Sequence, residues 1–201
     1  MRLYCDMDGV LVDFNSAAMK LMNEAMQNPE KHEHRECFHA LKERLRELGR
    51  DHVEVVDLEK ASYRGLASDE VIPEARELMK QLIAEGGAEW WANLSWHPTG
   101  KKLWEGIKDL NPTILTAPMS EAPGCEEGKI EWVRKNLGLT TERMILEDEK
   151  YKFAFVAHEP NILIDDFVCN TVPWAEHGGL PLLYTSSNVD EIVEKLNRWL
   201  G

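Results

Sequence analysis

The chain has 201 residues, enough at roughly 150 residues per domain for one medium domain carrying an insertion or a small cap. Its 23 Lys and Arg stand against 36 Asp and Glu, a formal charge of −13. That balance speaks against a broad cationic surface for long nucleic acid, but leaves room for a small anionic ligand held by a few local cations or a metal. At 43% hydrophobic and 29% charged residues the composition is that of a folded globular protein, and no uninterrupted apolar run reaches the ~20 residues of a membrane-spanning helix.

The start, Met1-Arg2-Leu3-Tyr4-Cys5, turns acidic at Asp6 and Asp8 and lacks the apolar core and small-residue cleavage site of a secretory signal. Cys5, Cys37, Cys125 and Cys169 are scattered, with no C-x-x-C pair, and read as reduced thiols in a cytoplasmic protein rather than a zinc site or disulfide framework.

Arg2 to Cys5 reads as a buried strand ending in the sharp turn Asp6-Met7-Asp8-Gly9. From about Phe14 to Ala84 the pattern is helical. Ala17, Ala18, Leu21, Met22, Ala25 and Met26 recur at spacings of three and four, and Leu41, Leu45 and Leu48 follow a polar stretch and stop at Gly49. A further helix begins at Ser68, carries Leu78, Met79, Leu82 and Ile83 on one face, and ends at Gly86-Gly87. The aromatic stretch Trp90 to Trp96 marks the return from this insertion.

Helices and strands then alternate. Helices are predicted over Thr99–Leu110, Glu126–Leu137, Lys150–Ala157, Cys169–His177 and Val189–Leu200, and strands over Pro112–Thr116, Arg143–Leu146, Asn161–Ile164 and Pro181–Tyr184. Short apolar strands between helices predict an α/β fold, a Rossmann-like parallel sheet with helices on both faces. The expected layout is a core of residues 1–13 and 88–201, with a small helical cap over 14–87 inserted after strand one.

In open parallel sheets the ligand site lies beyond the carboxyl ends of the strands. That rule brings Asp6, Asp8, Thr116, Asp165 and Asp166 to one edge. Four carboxylates in one place need a cation between them, and hard oxygen donors with open positions suit Mg²⁺.

These residues carry a family resemblance over the whole chain, from residue 3 to residue 184. Asp6-Met7-Asp8-Gly9-Val10-Leu11 resembles the first motif of the haloacid dehalogenase superfamily of phosphohydrolases. Ile114-Leu115-Thr116-Ala117 resembles the second, and Ile162-Leu163-Ile164-Asp165-Asp166 the fourth. Within the superfamily the pattern is similar to the 5′(3′)-deoxyribonucleotidases and their phage-type relatives. Phe14 follows the first motif, the insertion is helical, Trp90-Trp91-Ala92-Asn93-Leu94 looks like that family's Phe-Phe-x-x-Leu, and Gly128-Lys129-Ile130-Glu131-Trp132-Val133 is similar to its Glu-Lys-x-x-Trp-Val segment. Ala117 departs from the family, which usually has Ser there.

The resemblance implies an Asp6 nucleophile that forms an aspartyl-phosphate, with Asp8 as general acid and then base. It implies Mg²⁺ held by Asp6, the Asp8 backbone carbonyl and Asp165 or Asp166, a phosphoryl contact from Thr116, and a charge-stabilising lysine. Leu146 to Lys150 resembles the catalytic-lysine loop, which favours Lys150, with Lys152 as competitor and Lys129 as a second phosphate contact. The N–H groups of Met7, Asp8 and Gly9 are further candidates for the phosphate. Phe14, Trp90 and Trp91 are either core or a stacking wall for a base. His32, His34 and His39 read as surface histidines. The expected substrate is a small phosphomonoester, foremost a nucleoside monophosphate. A sugar or amino-acid phosphate is the alternative, and a non-catalytic protein on the same fold is the third reading.

Overall fold

The computed structural model describes residues 1–31, 35–47 and 73–201. Strand β1 (Leu3–Cys5) lies at the centre of a five-stranded sheet, between β2 (Thr113–Thr116) and β6 (Ile162–Asp165), with β3 (Met144–Leu146) and β7 (Leu180–Leu183) at the edges. All four pairings are parallel, and the order is β3-β2-β1-β6-β7. A separate antiparallel hairpin joins β4 (Phe155–Val156) to β5 (Glu159–Pro160).

The central strands read as continuous apolar runs because both faces of the sheet are covered. Side chains alternate between the faces. Leu3, Cys5, Ile114, Ile162 and Ile164 enter the main core, while Tyr4, Leu115 and Leu163 meet Trp174 and Ala154 on the other side. Trp174 belongs to α6 (Val168–Glu176) and its Nε1 donates to Asn161 O at 3.0 Å. Helices α4 (Gly100–Ile107), α5 (Cys125–Leu137) and α7 (Val189–Leu200) supply the main core with Leu103, Trp132, Val133, Ile192 and Leu196.

Between β1 and β2 the chain runs through α1 (Phe14–Gln27), α2 (Arg35–Glu47) and α3 (Pro73–Ala92). Asp13 caps α1 by accepting from Ser16 N at 3.2 Å, which fixes the direction in which the helix leaves the turn after β1. The apolar faces of these helices, with Ala18, Met22, Phe38, Leu78, Met79, Leu82 and Ile83, join the main core of the sheet. Helix α1 thus follows the predicted stripe. The readings at His32, His34, Leu48, Gly49 and Ser68 lie outside the described residues, and His39 is exposed on α2.

Two predictions differ from the structure. Gly86-Gly87 does not end the helix outright. The backbone breaks at Gly87 (φ 52°, ψ −155°), and a further helical turn resumes at once, carrying Trp90 and Trp91. The segment Lys150–Ala157 is not one helical piece. It is a 3₁₀ turn over Lys150–Phe153 followed by the β4–β5 hairpin. Ala157 (φ 54°) and His158 (φ 66°) both take left-handed conformations at its tip, a turn that is usually signalled by Asn-Gly and here is not.

Helices α3 and α5 touch closely at Gly128, where a Cβ would stand 2.4 Å from both Ala88 O and Trp91 Cβ. Gly128→Ala gains helix propensity of about 1 kcal/mol but forces the two backbones apart, and overpacking of this kind costs about 1–3 kcal/mol. The variant is expected to unfold at lower urea concentration than the wild type; equal or higher stability would contradict the contact.

Candidate active site

Asp6 stands where β1 ends. Its N–H pairs with Ile164 O at 2.9 Å, and its Oδ1 accepts from Met7 N at 2.8 Å and pairs with Lys150 Nζ at 2.8 Å. Asp8 follows on the same turn, with Oδ2 2.7 Å from Lys129 Nζ and a buried Oδ1 that has no hydrogen-bond partner. Gly9 closes the turn at φ 79°, and a Cβ there would fall 2.4 Å from Asp166 Oδ2. Only glycine lets the turn approach that carboxylate in this conformation. Of the N–H groups proposed for a phosphate, that of Met7 is engaged by Asp6, and that of Gly9 by Val12 O at 2.8 Å.

Thr116, fully buried at the end of β2, accepts at Oγ1 from Lys129 Nζ at 3.0 Å. Lys129 also donates to Ala117 O at 2.5 Å, so its three donors are used on Asp8, Thr116 and Ala117. Lysine is seldom fully buried unless paired, and at 1% exposure Lys129 obeys that rule. In this arrangement it fixes Asp8 and Thr116 in place.

Lys150, 2% exposed, spans Asp6 Oδ1 and Asp165 Oδ2 at 2.8 and 2.7 Å. Lys152, two residues on, lies in the open and pairs with Glu147 and Glu149 at 3.1 and 2.8 Å. The competition left by the sequence thus divides by position, with Lys150 in the cluster and Lys152 at the surface. Asp165 is fully buried and saturated. Oδ1 accepts from Phe167 N at 2.7 Å, and Oδ2 also accepts from Asn170 Nδ2 at 2.9 Å. Asp166 is less buried and lines the cavity.

Burial pushes the Asp8 carboxyl above its ordinary range, against the pull of Lys129, and Asp6 adds to the upward push. Burial and then Asp6 likewise raise Asp165, to about 7, against Lys150. Burial alone would lower Lys150, but Asp6 and Asp165 outweigh it and hold the ammonium form. Burial is the larger cause for both carboxyls, and the negative charge of Asp6 adds to it. Asp6, Asp8 and Asp165 gather around Lys129 and Lys150, with Asp166 on the same cavity, and carboxylates crowded in this way favour a proton or a bound cation.

Asp6, Asp165 and Asp166 each offer a carboxylate oxygen, all within 4.8 Å of one another. Hard oxygen donors crowded together and the unmatched Asp8 Oδ1 fit a divalent cation such as Mg²⁺.

A cavity of about 390 Å³ opens on this cluster. Asp6, Asp8, Thr116, Lys129, Lys150, Asp166, Phe14 and Trp91 all line it, whereas Trp90 and Asp165 do not. The aromatic residues pack on one another. Phe14 stacks on Trp91 (5.5 Å, 17°), and Trp90 stands edge-on to both, at 5.8 and 5.0 Å. Trp91 is 1% exposed with Lys129 Nζ 5.1 Å from its ring centre, and its Nε1 has no hydrogen-bond partner.

Among the polar and charged lining residues that escaped the sequence reading, Asn170, Arg76 and Lys80 stand out. Asn170 sits in the first turn of α6, and a polar residue one turn beyond a strand-end Asp-Asp was a usable signal. Arg76 and Lys80 come from α3, one turn apart, and line the same cavity. Their only signal was their sign, in a chain so acidic.

No family model and no curated protein matches the chain. Among solved structures it is similar to a hydrolase from Streptococcus pneumoniae TIGR4, over 96% of this chain and 97% of that one, at 12% identity and a TM-score of 0.49. It is also similar to a dehalogenase, over 90% and 83% of the two chains, at 14% identity and a TM-score of 0.40. The fold and site together define a parallel α/β protein with an aspartate–lysine cluster at the carboxyl ends of its three central strands. Among the described residues no helix is long and apolar enough to cross a membrane.

Proposed function

We propose that the protein is a Mg²⁺-dependent phosphomonoesterase of the haloacid dehalogenase type, working through an aspartyl-phosphate on Asp6. The observation that carries this reading is the pair of aspartates two residues apart at the end of β1. One is clamped by Lys150, and the other is clamped by Lys129 with its second oxygen unengaged, in one cavity.

An Asp6 oxygen attacks phosphorus, the bond from phosphorus to the leaving oxygen breaks, and the proton of Asp8 goes to that oxygen. Asp8, now ionised, takes a proton from water, whose oxygen attacks phosphorus and releases Asp6 and inorganic phosphate. Thr116 and Lys150 steady charge on the transferred group. Asp6, the Asp8 carbonyl and Asp166 would hold Mg²⁺, which when bound would supply positive charge for the two anions that must meet. The saturated Asp165 holds Lys150 and Asn170 in position.

The test is phosphate release from p-nitrophenyl phosphate with Mg²⁺ or with EDTA. Release that needs Mg²⁺ supports the reading; release unaffected by EDTA contradicts it. The pH profile tests the role of Asp8. The first step needs its proton, and burial raises its pKa, so activity holds through mildly acidic to neutral pH and falls as pH rises past that raised value. A rate still climbing beyond about pH 9 would contradict the assignment.

The resemblance implies a nucleoside monophosphate, and Phe14 and Trp91 line the cavity. Arg76 and Lys80, which also line the cavity, support instead a phosphate attached to a small charged group.

A further inference from the structure

We infer that the substrate is a small phosphomonoester bearing a second anionic group, held by Arg76 and Lys80, rather than a nucleobase. The inference rests on the phosphatase reading and names the chemistry of its leaving group.

Three observations lead to it. The first is what the aromatic residues do. A base platform needs an open ring face, yet Phe14 is 6% and Trp91 1% exposed, stacked on each other, with Lys129 over Trp91. Trp90 does not line the cavity. The π surface is already occupied by the protein's own groups.

The second is the charge that α3 brings to the cavity. Arg76 and Lys80 stand at i and i+4 on α3, where like charges repel, and both line the cavity that holds Asp6 and Asp8. Lys80 already binds a carboxylate, that of Glu121 at 2.7 Å, from the loop after β2. The hydrogen bond from Lys80 holds the Glu121 carboxyl down at about 2, so it is ionised throughout the neutral range. Glu121 is itself a cavity-lining residue and more than half exposed, so it can yield its place on Lys80 to a ligand anion. In a chain of net charge −13, Arg76 and Lys80 bring two cations to the cavity beyond the lysines of the cluster, and a doubly anionic ligand would use them.

The third is the Trp91 indole. Its buried N–H has no partner, and an unmade hydrogen bond of this kind costs about 1–3 kcal/mol. Trp91 lines the cavity, and a polar leaving group brings acceptors there that an apolar ring face does not.

A carboxylate and a second phosphate share this chemistry, and the test separates them. Magnesium-loaded protein is assayed for kcat/KM on ethyl phosphate, phosphoglycolate, ethylene glycol bisphosphate and thymidine monophosphate, beside the Asp6→Asn form. The expected result is a preference of about tenfold or more for phosphoglycolate or the bisphosphate over ethyl phosphate, the larger of the two naming the anion. In Arg76→Gln/Lys80→Gln that ratio collapses toward one. In Glu121→Gln, which releases Lys80, it rises, a response that a merely structural ion pair would not give. Hydrolysis without preference for the anionic esters, or with preference for thymidine monophosphate, overturns this inference and leaves the phosphatase reading standing. No hydrolysis of any ester, with wild type and Asp6→Asn alike, overturns the phosphatase reading and the inference with it.

Discussion

Asp6→Asn is expected to lower kcat by about 10⁴-fold or more, about 5 kcal/mol in the barrier, while the protein stays folded. The amide cannot form the acyl-phosphate bond, so the loss falls on chemistry rather than on binding. The fold tolerates the change because Asn keeps the volume of Asp and an oxygen for Met7 N, and the Lys150–Asp165 pair remains. Removing one negative charge also relieves the repulsion that helps raise Asp165. Parallel measurement of kcat and urea stability checks both halves. Retained activity would exclude Asp6 as nucleophile, and an unfolded variant would show that its role is structural.

The second large effect is on stability. Lys150→Met removes the ammonium between Asp6 and Asp165, both of them buried, and breaking a buried ion pair from one side costs about 3–5 kcal/mol. The pH dependence has a definite sign. Asp165 holds its proton in the folded protein up to about 7 but releases it near 3.8 when unfolded. Between those values the folded state binds the extra proton, so stability falls as pH rises through the window. The deficit of Lys150→Met is therefore smallest at the acidic end and largest above neutrality. Mg²⁺ supplies positive charge to the same carboxylates and should restore the variant by more than it stabilises the wild type. Urea unfolding at mildly acidic and mildly alkaline pH, with Mg²⁺ and with EDTA, tests this. A variant as stable as the wild type throughout would show that the cluster is not held by its charges.

What the sequence made legible follows from burial. β1, β2 and β6 read as strands because they are central and covered on both faces, so their apolar runs are continuous. The ends of those strands then placed Asp6, Asp8, Thr116, Asp165 and Asp166 together through the strand-end rule, with no knowledge of side-chain contacts. The hairpin over Phe155 to Pro160 was hidden, since Ala157 and His158 adopt left-handed backbone without the usual turn residues. The continuation past Gly87 was hidden too, because paired glycines stop most helices.

Lysines were the least legible part of the site. Lys129, Lys150 and Lys152 look alike in a sequence, and only tertiary structure separates two buried ammonium groups from one at the surface. The aromatic segment was visible as a feature, but its faces close on Phe14 and Lys129, which no spacing announces. Arg76 and Lys80 reach the cavity because α3 packs against α1, α2 and α5, a placement set by burial of Leu78, Met79, Leu82 and Ile83 in the main core.

The central claim is covalent catalysis by Asp6. The most direct measurement is acid quenching of magnesium-loaded protein during turnover of radiolabelled acetyl phosphate, followed by peptide mapping of the bound label. The expected result is an acid-stable, hydroxylamine-labile phosphoryl group on the peptide that carries Asp6, accumulating further in Asp8→Asn and missing from Asp6→Asn. Steady release of phosphate with no label on the protein at any quench time, in wild type and Asp8→Asn alike, would contradict it.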